Sequence, residues 1–418
     1  MKEPSTVNHP YVLLKPKSGS FSVSINWLTI YSFDLEGRLI GAYQAGVNYK
    51  RGFDNSLLRK WSETIDGQRR RQRRKLTTEE RRNFFQEMTA ELADIAEHPD
   101  RYRIETPEDE ALTWELFQRC LKYDWSALEA SAARFSDIYK PVTILPPDQY
   151  YSLVLQVTEG CSYNKCTFCN FYRDRHFRIK SVAELQKHIT QVKSFFGRGL
   201  HLRQSLFLAD ANALIMPQQR LLEMLRLINA EFGIHPSSRA GKQKQNKDHF
   251  YKGIFSFIDL FTGEYKSAAA FREMAELGVT RAYIGMESGS QPLLEFLKKP
   301  GSKQELVEAV NKVKSGGMDV GVIVLMGAGG REYSDQHISD TTEALNQMHL
   351  DENDFIYLSD FIPQENTTYE EVARIQKITP LLYRDIRNQE EAIREKLIYQ
   401  GHGRGPRIAR YDIREFLY

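Results

Sequence analysis

The sequence predicts an α/β protein: a partial parallel barrel of six βα units, (βα)6, with an α+β extension before it and a helical extension after it. Three observations lead there. From residue 150 onward, short apolar runs alternate with helix-patterned stretches of ten to fifteen residues, the signature of parallel βα units. Six such units can be traced, two short of a closed eight. The residues suited to chemistry stand directly after the apolar runs, where a parallel barrel places its function.

Composition bounds the rest. A chain of 418 residues is long enough for two or three packing units. The boundaries fall at 1–149 for the α+β extension, 150–362 for the barrel, and 363–418 for a C-terminal helix and docking tail. A net charge of +2 with 27% charged residues gives no overall pull toward a polyanion. No run of about 18 apolar residues occurs, so no membrane span is expected, and the N-terminus lacks the apolar segment of a secretory signal. The four cysteines are few and mostly clustered, which points to a reducing cytoplasm rather than a disulfide framework.

Taken in order, residues 21–25 alternate at period two, and residues 28–33 and 39–43 flank the turn Asp34-Leu-Glu-Gly37, which together read as a small β unit. A charged, mostly helical region follows. Its basic run at 68–75, QRRRQRRK, is read as a solvated linker or face, with a grip on phosphates as the alternative. No aromatic residue interleaves the run, so no stacking surface is evident. Thr77-Thr-Glu-Glu80 caps a helix to about residue 96, helical signals return over 113–135, and 141–147 is a linker. The six strands are placed at 151–157, 205–209, 254–258, 281–286, 320–326 and 355–358. Helices begin at Ser181, Pro217, Ser267, Gln291 and Ser334. The result is a three-quarter, TIM-like barrel whose open side suits a large substrate. From Pro363 a helix to about residue 399 is expected, then a hinge at Gly401–Gly405. The Arg-, Tyr- and Phe-rich tail that follows reads either as packing on the barrel's open edge or as a lid touching substrate.

The stretch after the first strand, VTEGCSYNKCTFCNFYR, holds Cys161, Cys166 and Cys169 at C-x4-C-x2-C spacing. A closed zinc site wants four ligands, so His176 would have to complete it. A [4Fe–4S] cluster given three thiolates keeps one iron open to an outside ligand. An unligated loop would leave three oxidation-prone thiols together. Cys120, alone in WELFQRCLKY, reads as a helix-face residue.

The loop resembles the cluster loop of the radical S-adenosylmethionine (SAM) superfamily, in the branch with coproporphyrinogen-oxidase-like and methylthiotransferase-like cores. The usual loop there is C-x3-C-x2-C with an aromatic before the last cysteine; Phe168 fills that place, and the first gap is one residue longer. The resemblance implies one [4Fe–4S] cluster on the three cysteines and SAM as second cofactor. It sets Asp210, with Asn212, against the SAM amino group. Glu287 and Ser288, in IGMESGSQPLL, would face the ribose and methionine part, and the fifth strand, with Val324 and Gly327, the adenine. It further implies an oxidoreductase-type radical enzyme fed one electron by a flavodoxin- or ferredoxin-like donor. The substrate expected is a small molecule rather than RNA, a metabolite or a natural-product or lipid precursor. An RNA-modifying enzyme and a non-catalytic Fe–S or zinc module remain as rival classes. No catalytic residue is assigned. Arg410, Tyr411 and Tyr418 in the tail are the candidate substrate contacts. His337, one turn into the helix after the fifth strand, caps, packs or relays a proton.

Overall fold

The computed structural model describes residues 9–65, 67–107, 109–234, 251–259, 265–398 and 404–418. The chain divides into two compact units, one of residues 1–143, 190–204 and 414–418, the other of 144–189 and 205–413.

The first unit is an eight-stranded sheet with helices on it. Its strands are β1 (Tyr11–Pro16), β2 (Ser20–Ile25), β3 (Thr29–Asp34), β4 (Leu39–Gln44), β5 (Val47–Arg51), β6 (Leu57–Ile65), β7 (Gln68–Lys75) and β8 (Arg103–Glu105). They run as an antiparallel meander from β7 to β1, with β8 added in parallel beside β1. Helices α1 (Thr78–Glu97), α2 (Glu110–Cys120) and α3 (Trp125–Ile138) follow. Phe84, Phe85, Met88 and Leu92 of α1 and Leu116 and Phe117 of α2 bury against Val12, Leu14, Phe21, Val23 and Phe33 of the sheet. The capping box of α1 is formed as its sequence promised, Thr77 with Glu80.

Of the region expected to be charged and mostly helical, the part before α1 is instead β6 and β7, with the basic run forming an edge strand paired to β6. The signal for it was in the chain: Asp66-Gly67 is a hairpin dipeptide, and Gly67 has φ +73°. Arginine's helical propensity was overridden by cross-strand pairing, as strand preferences are context-dependent.

The second unit carries the parallel sheet: β9 (Ser152–Gln156), β12 (Ser205–Ala209), β13 (Ile254–Phe257), β14 (Val279–Glu287), β15 (Asp319–Met326) and β16 (Phe355–Asp360), paired in that order. β9 and β12 are buried along their whole length, which is why they read as continuous apolar runs. A short pair, β10 (Thr158–Glu159) and β11 (Arg178–Ile179), closes the neck of the loop after β9. The crossover helices are α4 (Val182–Phe196), α5 (Gln218–Phe232), α6 (Ala268–Glu276), α7 (Gln291–Phe296), α8 (Lys303–Ser315) and α9 (Gly330–Gln347). At the N-terminal end of the sheet Asp148 accepts from Tyr283 Oη at 2.6 Å, Tyr357 Oη at 2.7 Å and Arg281 Nη1 at 2.9 Å, tying β14 to β16.

The C-terminal region departs from the single helix expected. It forms α10 (Tyr369–Ile375) and α11 (Tyr383–Lys396), broken where Pro380 removes an amide donor and restrains its neighbour. Then β17 (Arg407–Tyr411) adds a seventh parallel strand beside β16. Residues 401–403 of the expected hinge lie outside the described residues. Among the described residues no helix is long and apolar enough to cross a membrane.

Candidate functional site

One cavity of the second unit opens at the C-terminal ends of its strands.

The loop after β9 forms one wall. Gly160, at φ +78°, lets the chain turn out of β10 where a Cβ would meet His176 backbone oxygen at 3.0 Å. Within the loop Arg173 donates from Nη2 to Cys166 O at 2.9 Å and from Nε to Cys169 O at 3.2 Å. Asn164 N donates to Cys161 Sγ at 3.4 Å. Thr167 N is anchored on Leu297 O at 3.0 Å. These bonds present Cys161, Cys166 and Cys169, together with Phe168, to the same cavity. Burial pushes the Cys166 thiol up to about 12 and the Cys169 thiol up to about 11, with the neighbouring sulfurs adding to the rise.

Three sulfur donors lining one cavity, on a loop pinned through its carbonyls, suit an iron–sulfur cluster with one iron left open. Among the described residues no three His, Cys, Asp or Glu side chains are already gathered at metal-ligand spacing. His176 is exposed at the neck and outside the cavity, so it does not supply the fourth ligand of a zinc site.

The other strand ends complete the site. Asn212, after β12, lines the cavity and donates to Ser162 Oγ at 2.6 Å. Asp210, expected at the SAM amino group, does not line it. Its carboxylate accepts from Gly160 N at 2.8 Å and Gln156 Nε2 at 3.0 Å, and pairs with Arg175 at 3.3 Å. Burial raises its pKa, with the Gly160 amide and Arg175 pulling the other way. Asp210 therefore fastens the neck of the cysteine loop.

Glu287 ends β14 in the left-handed region at φ +60°, opposite a register shift against β15. A non-glycine residue held there marks a constrained site. It faces the cavity and accepts from Lys299 Nζ at 3.0 Å. Burial alone would lower the Lys299 pKa, but Glu287, followed by Cys166 and Asp259, holds it well above the ordinary value. Lys299 also lines the cavity and was not foreseen; nothing in LKKP distinguishes it until α7 turns the chain back toward the cysteine loop.

On β15 the cavity is lined by Ile323 and Leu325, not Val324, because alternate residues of a strand face opposite sides. Gly327 N donates to Gln389 Oε1 at 2.8 Å, and a Cβ there would meet Ile386 at 3.1 Å, so its close approach is to α11 rather than a ligand. Ser288 is fully buried and bonded to His337 Nδ1 at 2.7 Å. In the tail, Tyr411 lines the cavity and donates to Leu145 O at 2.8 Å. Arg410 binds Glu390 of α11 at 2.7 Å. Tyr418 packs in the first unit against Phe53, Phe135 and Tyr139.

His337 is fully buried, and burial lowers its pKa from 6.5 to about 4, so it stays neutral and serves as a strut for the turn after β14. The unfolded chain takes up the proton first. Stability is therefore full above pH 6.5 and falls as pH drops toward about 4, by about 3 kcal/mol from this group. Urea midpoints measured across that range should fall less steeply in His337→Gln than in the parent; parallel curves would remove His337 from the account.

Residues 155–345 match the radical SAM superfamily and form a radical SAM domain, an enzyme domain whose members use a [4Fe–4S] cluster and SAM. Among solved structures the chain is similar to Streptococcus suis SuiB, at 10% identity, TM-score 0.41, covering 88% of this chain and 71% of that one. It is also similar to the Escherichia coli coproporphyrinogen III oxidase HemN, at 12% identity, TM-score 0.40, covering 66% and 55%. A third likeness is to the cobalamin-dependent SAM radical enzyme OxsB, at 17% identity and TM-score 0.36; the match covers 64% of this chain and about a third (32%) of OxsB. No curated protein matches the chain.

Proposed function

With residues 155–345 a radical SAM domain, we propose that the protein is a radical SAM enzyme acting on a small molecule. Cys161, Cys166 and Cys169 would hold the [4Fe–4S] cluster, which with SAM and a flavodoxin- or ferredoxin-like electron donor would supply radical hydrogen abstraction at a substrate carbon. The observation that carries the reading is the convergence of three loop thiols, Asn212 and the Glu287–Lys299 pair on one cavity at the strand ends.

The chain's part is to hold and shield. Glu287, fixed by Lys299 and by its backbone, offers a carboxylate to hydroxyl or amino donors of the cofactor. Asn212 offers an amide to the same cavity. Phe257, Ile258, Ile323, Leu325 and Phe361 line the remaining wall and exclude water from a reactive intermediate. A reducing cytoplasm is the compartment that suits such thiols.

The test is anaerobic reconstitution followed by dithionite and SAM. The expected products are methionine and 5′-deoxyadenosine in equal amounts, with deuterium entering 5′-deoxyadenosine from a labelled true substrate. Bound zinc without iron, or a reduced cluster that leaves SAM intact, would sink the reading.

A further inference from the structure

Strand β7 is an edge of the first unit's sheet, and its hairpin with β6 runs on past the sheet. β5 pairs with β6 only as far as Lys60, opposite Asn48. Beyond that, five cross-strand pairs, Trp61↔Gln72 to Ile65↔Gln68, have no third strand beside them among the described residues. At about 3.4 Å per residue the ribbon projects roughly 15 Å.

Its composition is unlike the rest of the chain. Residues 59–75 contain eight basic and two acidic side chains, whereas the whole chain is only +2. Directly opposed residues share a face. Lys60 with Arg73, Ser62 with Arg71 and Thr64 with Arg69 therefore lie on one side. Arg59 with Arg74, Trp61 with Gln72 and Glu63 with Arg70 lie on the other. Cations occupy both faces. Those nearest the sheet are engaged: Arg74 with Glu80 at 2.7 Å, and Arg73 with Glu415 at 3.6 Å. Toward the tip, Arg69 and Arg71 are exposed.

Edge strands commonly carry charge to deter pairing with other chains. That purpose does not need three consecutive arginines, Arg69 to Arg71, near the tip of a projecting hairpin. A two-stranded ribbon without an apolar face buries little and is marginal by itself.

We propose that this ribbon enters the major groove of duplex DNA. The B-form groove is about 12 Å wide and admits a two-stranded β-ribbon. It is walled by phosphates on both sides, which matches cations on both faces, and guanidinium forks suit phosphate and guanine edges alike. An A-form RNA groove is too narrow for the same fit. The inference concerns docking and stands whichever molecule reacts in the cavity.

Fluorescence anisotropy of the full reconstituted chain with a labelled mixed-sequence DNA duplex of about 20 base pairs, between about 50 and 200 mM salt, tests it. Binding is expected with a log–log salt slope of roughly −3 to −4, for three or four phosphates at about −0.9 each. The double variant Arg69→Glu/Arg71→Glu should bind about tenfold or more weakly at the lowest salt, with a slope shallower by about 2. Its iron content should be unchanged, since neither residue lines the cavity. No binding at about 50 mM salt, or no change in the variant, overturns the proposal. So does equal affinity for an RNA duplex of the same length, for heparin, or for vesicles containing phosphatidylserine.

Discussion

Replacing Cys161, Cys166 or Cys169 by alanine is expected to take iron and sulfide from about four of each per reconstituted chain to near zero, and reductive SAM cleavage with them. The three sulfurs face one cavity from a loop held by Arg173 and Asn164, so none has a nearby substitute. Cys120 is the internal control. It is buried in α2, its thiol donates to Leu116 O at 3.2 Å, and burial drives its pKa far up. Cys120→Ala should keep full iron content and cost about 1 kcal/mol for a small cavity. Iron assay and absorbance of the four variants decide the matter. Iron retained in a loop-cysteine variant, or lost in Cys120→Ala, would contradict the ligand assignment.

Asp210→Ala is expected to destabilise the barrel unit by about 3 kcal/mol or more and to impair retention of iron. The Asp210 side chain is 2% exposed and the Arg175 side chain 7%. Removing the carboxylate takes an acceptor from the Gly160 amide and from Gln156 Nε2, and an ion-pair partner from Arg175. The cost falls on the neck through which the cysteine loop leaves β10. Glu287→Gln makes the contrast. It keeps the neck intact, so iron content should hold while SAM affinity weakens by about 1–3 kcal/mol. Urea unfolding, iron content and SAM binding on both variants separate the roles. Unchanged stability and iron in Asp210→Ala, with SAM affinity alone reduced, would place Asp210 on the cofactor instead.

Much of this was legible in the chain. The six apolar runs became β9, β12, β13, β14, β15 and β16 within a few residues of where they were placed, because burial on both faces of a parallel sheet leaves an unbroken apolar signature. The cysteine spacing, the phenylalanine before the last of them, and Glu287 at the end of β14 are equally local features, and all of them reach the cavity. Other decisions needed the tertiary structure. Val324 and Ile323 are equivalent as sequence; register against β14, with its shift at Gly285 and Glu287, selects Ile323 for the cavity. Asp210 and Asn212 stand two residues apart, yet the first holds the loop's neck and the second the cavity wall. Lys299 acquires its role when α7 brings it to Glu287, twelve residues away. Arg407–Tyr411 becomes a strand because β16 offers an unpaired edge. Period and spacing are properties of neighbouring residues and survive in a sequence. Facing, pairing and edge availability belong to contacts between distant segments, and only the folded chain decides them.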